Sequence, residues 1–225
     1  MTIAAARLQE VAHALLPKGI LLRGVTTLGV GQGAQLSHGG LARTVLLLGN
    51  VGGSIWEEFS CWRQGYSGAD PLDTWSRTVI EPIAERFNAA AVFPSDRPYH
   101  PFQQWAMRAE GLKPSPLGIL IHPQYGLWHG YRGALVFSEE LEPMPVAEGG
   151  HPCDSCADMP CLSACPADAL VAPAFLVEPC RDHLVAEDSQ TGCMRRGCTA
   201  RSACPVGAQH RYPPDQLRFH MDALI

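Results

Sequence analysis

Eight of the nine cysteines fall between residues 153 and 204, in two blocks that each end in Cys-Pro. The first is Cys153-x2-Cys156-x4-Cys161-x3-Cys165-Pro166; the second runs Cys180, Cys193, Cys198 and Cys204-Pro205. Eight thiolates in this order suit two 4Fe–4S clusters, four ligands to each cubane, and so the chemistry of single-electron transfer. A tight cysteine loop delivers three ligands and turns its backbone N–H groups toward the sulfurs. The cysteine before proline lies where the chain turns away, so it serves the other cluster. The expected partition is Cys153, Cys156, Cys161 and Cys204 on one cluster, and Cys165, Cys180, Cys193 and Cys198 on the other.

The spacing is looser than the bacterial ferredoxin run, with four residues (Ala157 to Pro160) between the second and third ligands. Two all-cysteine zinc sites are the alternative this leaves open, because Cys-x2-Cys is also a zinc knuckle. The two Cys-Pro units and the mid-block Cys180 favour iron and sulfide. A disulfide framework fits poorly with an odd cysteine count, no secretory pattern at the N-terminus and a chain long enough to build its own core. Cys61, between Phe59-Ser60 and Trp62, reads as a buried small apolar residue rather than a ligand.

The 225 residues, 46% apolar and 17% charged, describe an ordinary globular protein of one large or two small domains. No apolar run is long enough to span a bilayer, so no membrane partner is expected. Arg7 and Glu10 break up the N-terminal apolar residues, which points to a cytoplasmic location. The net charge of −5 gives no reason to expect nucleic acid.

Apolar periodicity predicts a helix over residues 2–16, with Leu8, Val11, Ala12 and Leu15 on one face. Strands are expected over 20–28 and 43–48, separated by a Gly-rich stretch in which Gly31-Gln32-Gly33 forms a turn rather than a dinucleotide fingerprint. Helices are expected over 54–63 and over 72–87. The second opens with Asp70 as cap and Pro71 at the first position, and is kinked or interrupted at Pro82. A short strand over 89–93, a helix over 101–110 ended by Gly111, and strands over 117–122 and 131–137 complete the first part. The mixture is α+β with no βαβ repeat. The Pro/Gly-rich stretch 142–152 is the natural linker, giving domains at 1–148 and 149–225.

From His122 to Gly133 the chain packs aromatic and imidazole side chains, an arginine and glycines between two apolar runs. Glycines let a large flat ligand approach the backbone, and Tyr, Trp and Arg supply stacking and polar contacts. Taken singly, each residue reads as core packing. As a group, His122, Tyr125, Trp128 and Arg132 form the candidate cofactor-binding surface.

The stretch Ile121-His122-Pro123-Gln124-Tyr125-Gly126-Leu127-Trp128-x3-Arg132-Gly133, with Asp70-Pro71-Leu72-Asp73 upstream, resembles the cobalamin-processing chaperone family of CblC type. That resemblance implies a modified flavin-reductase/nitroreductase-like sandwich that reductively removes the upper ligand of cobalamin, with Arg132 at the position of an arginine that binds the thiol cosubstrate. Where the family carries a ligand-binding histidine, this chain reads Gln104-Trp105-Ala106-Met107-Arg108. The cysteine order is similar to that of epoxyqueuosine reductase and the corrinoid-dependent reductive dehalogenases, which implies a C-terminal two-cluster ferredoxin-like domain and the same ligand partition. The catalytic acid region of epoxyqueuosine reductase finds no match.

Together these readings give an expected iron–sulfur protein that passes electrons to a corrinoid, reductively activating or dealkylating cobalamin, and that is reloaded by a donor protein or small reductant. The residues that would perform catalysis are not named by the sequence. A ferredoxin-type carrier docking to a partner enzyme and a flavin-dependent reductase are the alternatives.

Overall fold

The computed structural model describes residues 3–29, 36, 39–146, 149–171, 174–186 and 192–225. The expected turn at Gly31-Gln32-Gly33 lies outside them. Along the chain come α1 (Ile3–Leu15), β1 (Leu21–Thr27), β2 (Thr44–Val51), α2 (Trp56–Arg63), α3 (Pro71–Arg86), β3 (Ala90–Val92) and α4 (Phe102–Glu110). A two-residue pair, β4 (Lys113–Pro114) and β5 (Leu120–Ile121), precedes the long β6 (His129–Phe137). The remainder holds α5 (Pro160–Ser163), the small strands β7 (Leu170–Val171) and β8 (Ala174–Phe175), then α6 (Val177–Ala186), α7 (Gly192–Arg196), α8 (Thr199–Ala203) and α9 (Pro214–Asp222).

The fold is mixed α+β, and the chain divides into two compact units by more than a single cut. One comprises Met1–Gly111 with Gly130–Ala147; the other comprises Leu112–His129 with Glu148–Ile225. The segment of 18 residues expected to belong with the first part therefore packs with the cysteine-bearing part.

In the first unit a four-stranded sheet runs in the order β1-β2-β6-β3. Central β2 carries Val45, Leu46, Leu47 and Leu48, all fully buried, as a strand covered on both faces requires. Helix α1 puts Val11 and Leu15 into the core, and Gly19, in the left-handed region at φ 67°, ends the helical turn that follows it. Pro82 sits inside α3, which continues through it to Arg86. Asp70 does not act as the expected side-chain cap. It adopts φ 46° and makes no side-chain bond to the helix, while its carbonyl accepts from Thr74 N–H at 3.0 Å. The strand expected over 117–122 shortens to Leu120–Ile121, which pair with Lys113–Pro114, while His122 turns back to bridge Gly126.

Pairing of β1 with β2 slips between Leu22 and Gly24, leaving Arg23 as the extra residue of a bulge. Gly24 lets α4 approach closely: a Cβ there would lie 2.9 Å from that of Ala109. Arg23 then reaches Glu110 at 2.7 Å and the Asn50 carbonyl at 3.1 Å, while the Tyr131 hydroxyl donates to the other Glu110 oxygen. Burial pushes the Glu110 carboxyl above its ordinary value, outweighing Arg23 and Tyr131, which pull it down.

A carboxyl that holds its proton more tightly when folded makes stability fall as pH climbs from the ordinary 4.5 through the raised value. Urea midpoints of wild type and Glu110→Gln, compared across that range, should therefore drift in favour of the variant as pH rises. A difference that stays constant with pH would show that the carboxyl titrates normally.

Candidate functional site

The second unit brings the eight cysteines into two groups. Cys153, Cys156, Cys161 and Cys204 line one hollow, walled by Pro152, Pro160 and Pro205. Cys204 is buried with Ile121 and Leu127, with Cys153 packed against them. In the other group Cys193 is buried with Leu184, Met194 and Met221, and Cys180 and Cys198 pack against that cluster. Cys165 joins it through the charge interactions of Cys180 and Cys198. Thr199 links the loops, its hydroxyl donating to the Ala164 carbonyl at 2.8 Å and lying 3.7 Å from Cys193 Sγ.

Each group crosses between the sequence blocks: Cys204 from the second joins the first three, and Cys165 from the first joins Cys180, Cys193 and Cys198. Burial, followed by the neighbouring thiols, pushes the thiols of Cys153 and Cys180 up. Burial also raises Cys161, Cys198 and Cys204, against backbone N–H groups that point at their sulfurs and pull the other way. Thiols pushed up in this way become thiolates together only beside a cationic centre. Among the described residues no three His, Cys, Asp or Glu side chains stand close enough to hold one metal ion.

Cys61 is exposed on α2 in the first unit, apart from the other eight. The expectation that it is buried is corrected: its neighbour Phe59 faces the core, and Cys61 is turned outward.

The aromatic segment is built differently from the expected ligand surface. His122 Nδ1 accepts from the N–H groups of Gln124 and Tyr125 at 3.0 and 3.2 Å, closing a turn, and its ring stacks on Tyr125. Trp128 is 0% exposed, edge-on to Tyr212 and beneath the Arg201 guanidinium. Its face is therefore occupied by protein. Protein also fills the spaces beside the glycines. A Cβ on Gly126 would meet the Val206 carbonyl at 1.8 Å, and one on Gly133 would meet Ile80 at 2.9 Å. Arg132 is half-buried on β6. The four candidates are divided between the units: His122, Tyr125 and Trp128 belong to the second and Arg132 to the first.

A cavity of about 760 Å³ lies instead in the first unit, between apolar strand residues such as Val45, Val92 and Val136 and helix α4. Its polar edge is His100, Gln104 and Arg108, with Trp105 stacked on His100 at 5.8 Å. None of the four sequence candidates lines it. Helical spacing could have found it, since Gln104, Trp105 and Arg108 fall within one turn of a helix whose other face is buried.

No protein-family model matches the sequence. No curated protein matches it either. Solved structures do match the fold. Epoxyqueuosine reductase from Streptococcus thermophilus superposes with a TM-score of 0.57 at 16% identity, over 96% of this chain and 70% of that one. An epoxyqueuosine reductase bound to a tRNA-Tyr epoxyqueuosine-modified stem loop gives 0.55 at 14%, over 95% and 69%. A Caenorhabditis elegans B12-trafficking protein, CblC, gives 0.56 at 15%, over 97% and 91%. The fold is shared with both proteins that the sequence resembles.

If Trp128 is a core residue, Trp128→Ala should cost about 3–5 kcal/mol, read as a lower denaturant midpoint. Gly126→Ala should lower the midpoint as well, since it adds a clash to a backbone at φ 58°. A Trp128→Ala protein as stable as wild type would return that residue to the surface.

Proposed function

We propose that this chain is an iron–sulfur redox protein holding two 4Fe–4S clusters, one on Cys153, Cys156, Cys161 and Cys204 and one on Cys165, Cys180, Cys193 and Cys198. The observation that carries the reading is the sorting of eight thiols into two crossed groups of four. One ion with metal–sulfur bonds of about 2.3 Å gathers its ligands to about 3.8 Å of one another. In a cubane each thiolate binds a different iron, so a wider group suits it. The proline-walled hollow sets apolar side chains around the sulfurs, and the inward N–H groups favour the more negative, reduced state. The clusters supply electrons one at a time; the protein's part is to hold eight thiolates and set the local charge.

The acceptor we propose is a corrinoid, whose cobalt is reduced or dealkylated by one-electron donors. Two things support it: the fold shared with a B12-trafficking protein and with epoxyqueuosine reductase, and the large cavity of the first unit. There the valine wall offers apolar contact, Trp105 an aromatic edge, and His100, Gln104 and Arg108 polar contacts for an amide-fringed ring. The cavity takes over the binding role that the sequence suggested for His122, Tyr125, Trp128 and Arg132. No helix among the described residues is long and apolar enough to cross a membrane. A cytoplasmic site, where thiols stay reduced, suits the proposal.

Anaerobically purified protein should carry about eight iron and eight sulfide per chain and bleach with dithionite. Stoichiometric zinc without sulfide would end the reading. Cys204→Ser should damage the cluster of the first three cysteines, although it lies in the second block.

Hydroxocobalamin should shift its visible spectrum on binding. Arg108→Ala should weaken that binding by about 1–3 kcal/mol, roughly five- to a hundredfold, without changing iron content. A spectral response to flavin alone would replace the corrinoid.

A further inference from the structure

Arg201 stands midway between Cys198 and Cys204 on α8, three residues from each. Its backbone N–H donates to Cys198 Sγ at 3.5 Å. Its side chain turns the other way, donating through one terminal N–H to the Leu127 carbonyl. Leu127 is buried with Cys204, and Cys153 packs against that pair. The guanidinium lies 4.5 Å over the Trp128 ring and 4.6 Å over Tyr212, whose residues are 0% and 5% exposed. Its Nε is buried and, among the described residues, has no hydrogen-bond partner.

No carboxylate is among these contacts. A guanidinium clamped between two aromatic faces and a carbonyl keeps its full positive charge in a weakly screened place. Such a cation is costly unless an anion lies near. The group held by Cys153 and Cys204 would be that anion. Four thiolates around an iron–sulfide core are net negative, and become more so by one charge on reduction.

We propose that the Arg201 guanidinium raises the reduction potential of the cluster on Cys153, Cys156, Cys161 and Cys204, an inference that rests on the iron–sulfur reading above. The cluster gains one electron from the donor, no bond is broken, and the fixed cation stabilises the added charge. Arg201 is a positioning residue in this account, acting on the cluster through charge. Its backbone bond to Cys198 serves the other cluster and does not depend on the side chain.

The test is an anaerobic titration of the full chain with dithionite and redox mediators, following both reduced clusters by electron paramagnetic resonance. The signal that Cys153→Ser abolishes identifies the cluster concerned. Arg201→Gln should lower that midpoint and leave the other nearly in place, with iron unchanged. Arg201→Lys should restore most of the shift, because it keeps the charge while losing the fork. Arg211→Gln removes an exposed cation 5.7 Å from the Trp128 ring and should move neither midpoint appreciably. The proposal is overturned if Arg201→Gln leaves both midpoints at wild-type values. Loss of iron in that variant, which would make the arginine a scaffold, also overturns it, as does an equal shift in Arg211→Gln. Wild-type protein without iron and sulfide would instead sink the iron–sulfur reading itself.

Discussion

Two backbones meet at Gly126 and Gly207 with no room for a side chain on either. A Cβ on Gly126 would strike the Val206 carbonyl, and one on Gly207 would come within 2.3 Å of the Tyr125 carbonyl carbon. Both residues hold positive φ, so each supplies a conformation as well as a space. This contact fastens the 122–126 turn to the chain just beyond Cys204-Pro205. Leu127 and Trp128 follow the turn at once, and so are delivered to the places where Cys204, Arg201 and Tyr212 use them. The cysteine geometry of the second unit depends on a tight turn made more than 70 residues earlier in the chain, as the numbering from 126 to 204 requires.

The elements of the first unit were legible because their signals are local. Continuous apolar residues gave β2, period 3.6 gave α1, and Gly111 closed α4 as a C-terminal glycine should. The grouping of the cysteines was legible for a different reason: cysteine is scarce, and its order before proline carries meaning. The aromatic segment was ambiguous in sequence because composition cannot say which side of a ring is already covered. Trp128, with Tyr212 and Arg201 against it, looks in sequence like a free stacking platform. The placement of residues 112–129 with the second unit was hidden. One of its breaks falls between His129 and Gly130, inside the strand β6, where no proline or polar run marks it.

The first unit shows how a sheet irregularity can create a polar interior. The bulge at Arg23 takes one residue out of the β1–β2 ladder and lets a guanidinium enter the space beside α4. Glu110, the last residue of that helix, and Tyr131, near the start of β6, complete the network. Three elements are thereby held in fixed relation at one point, while Gln104, Trp105, Met107 and Arg108 of α4 border a cavity. A helix anchored by buried hydrogen bonds at its C-terminus can border a hollow without collapsing into it.

The interleaved division of the chain bears on how the protein can be made and handled. Synthesis produces residues 112–129 well before the cysteines they pack with, so this stretch leaves the ribosome with Ile121, Leu127 and Trp128 uncovered. Their contacts are of long sequence separation, the kind that forms late and leaves apolar surface open to association meanwhile. For the same reason a fragment beginning at residue 149 would be an incomplete module: Tyr212 and Leu217 would lose Trp128, and Cys204 would lose Ile121 and Leu127. The smallest self-sufficient piece of the cysteine-bearing unit is therefore discontinuous. Expressing it alone would call for residues 112–129 to be joined to it through a new linker.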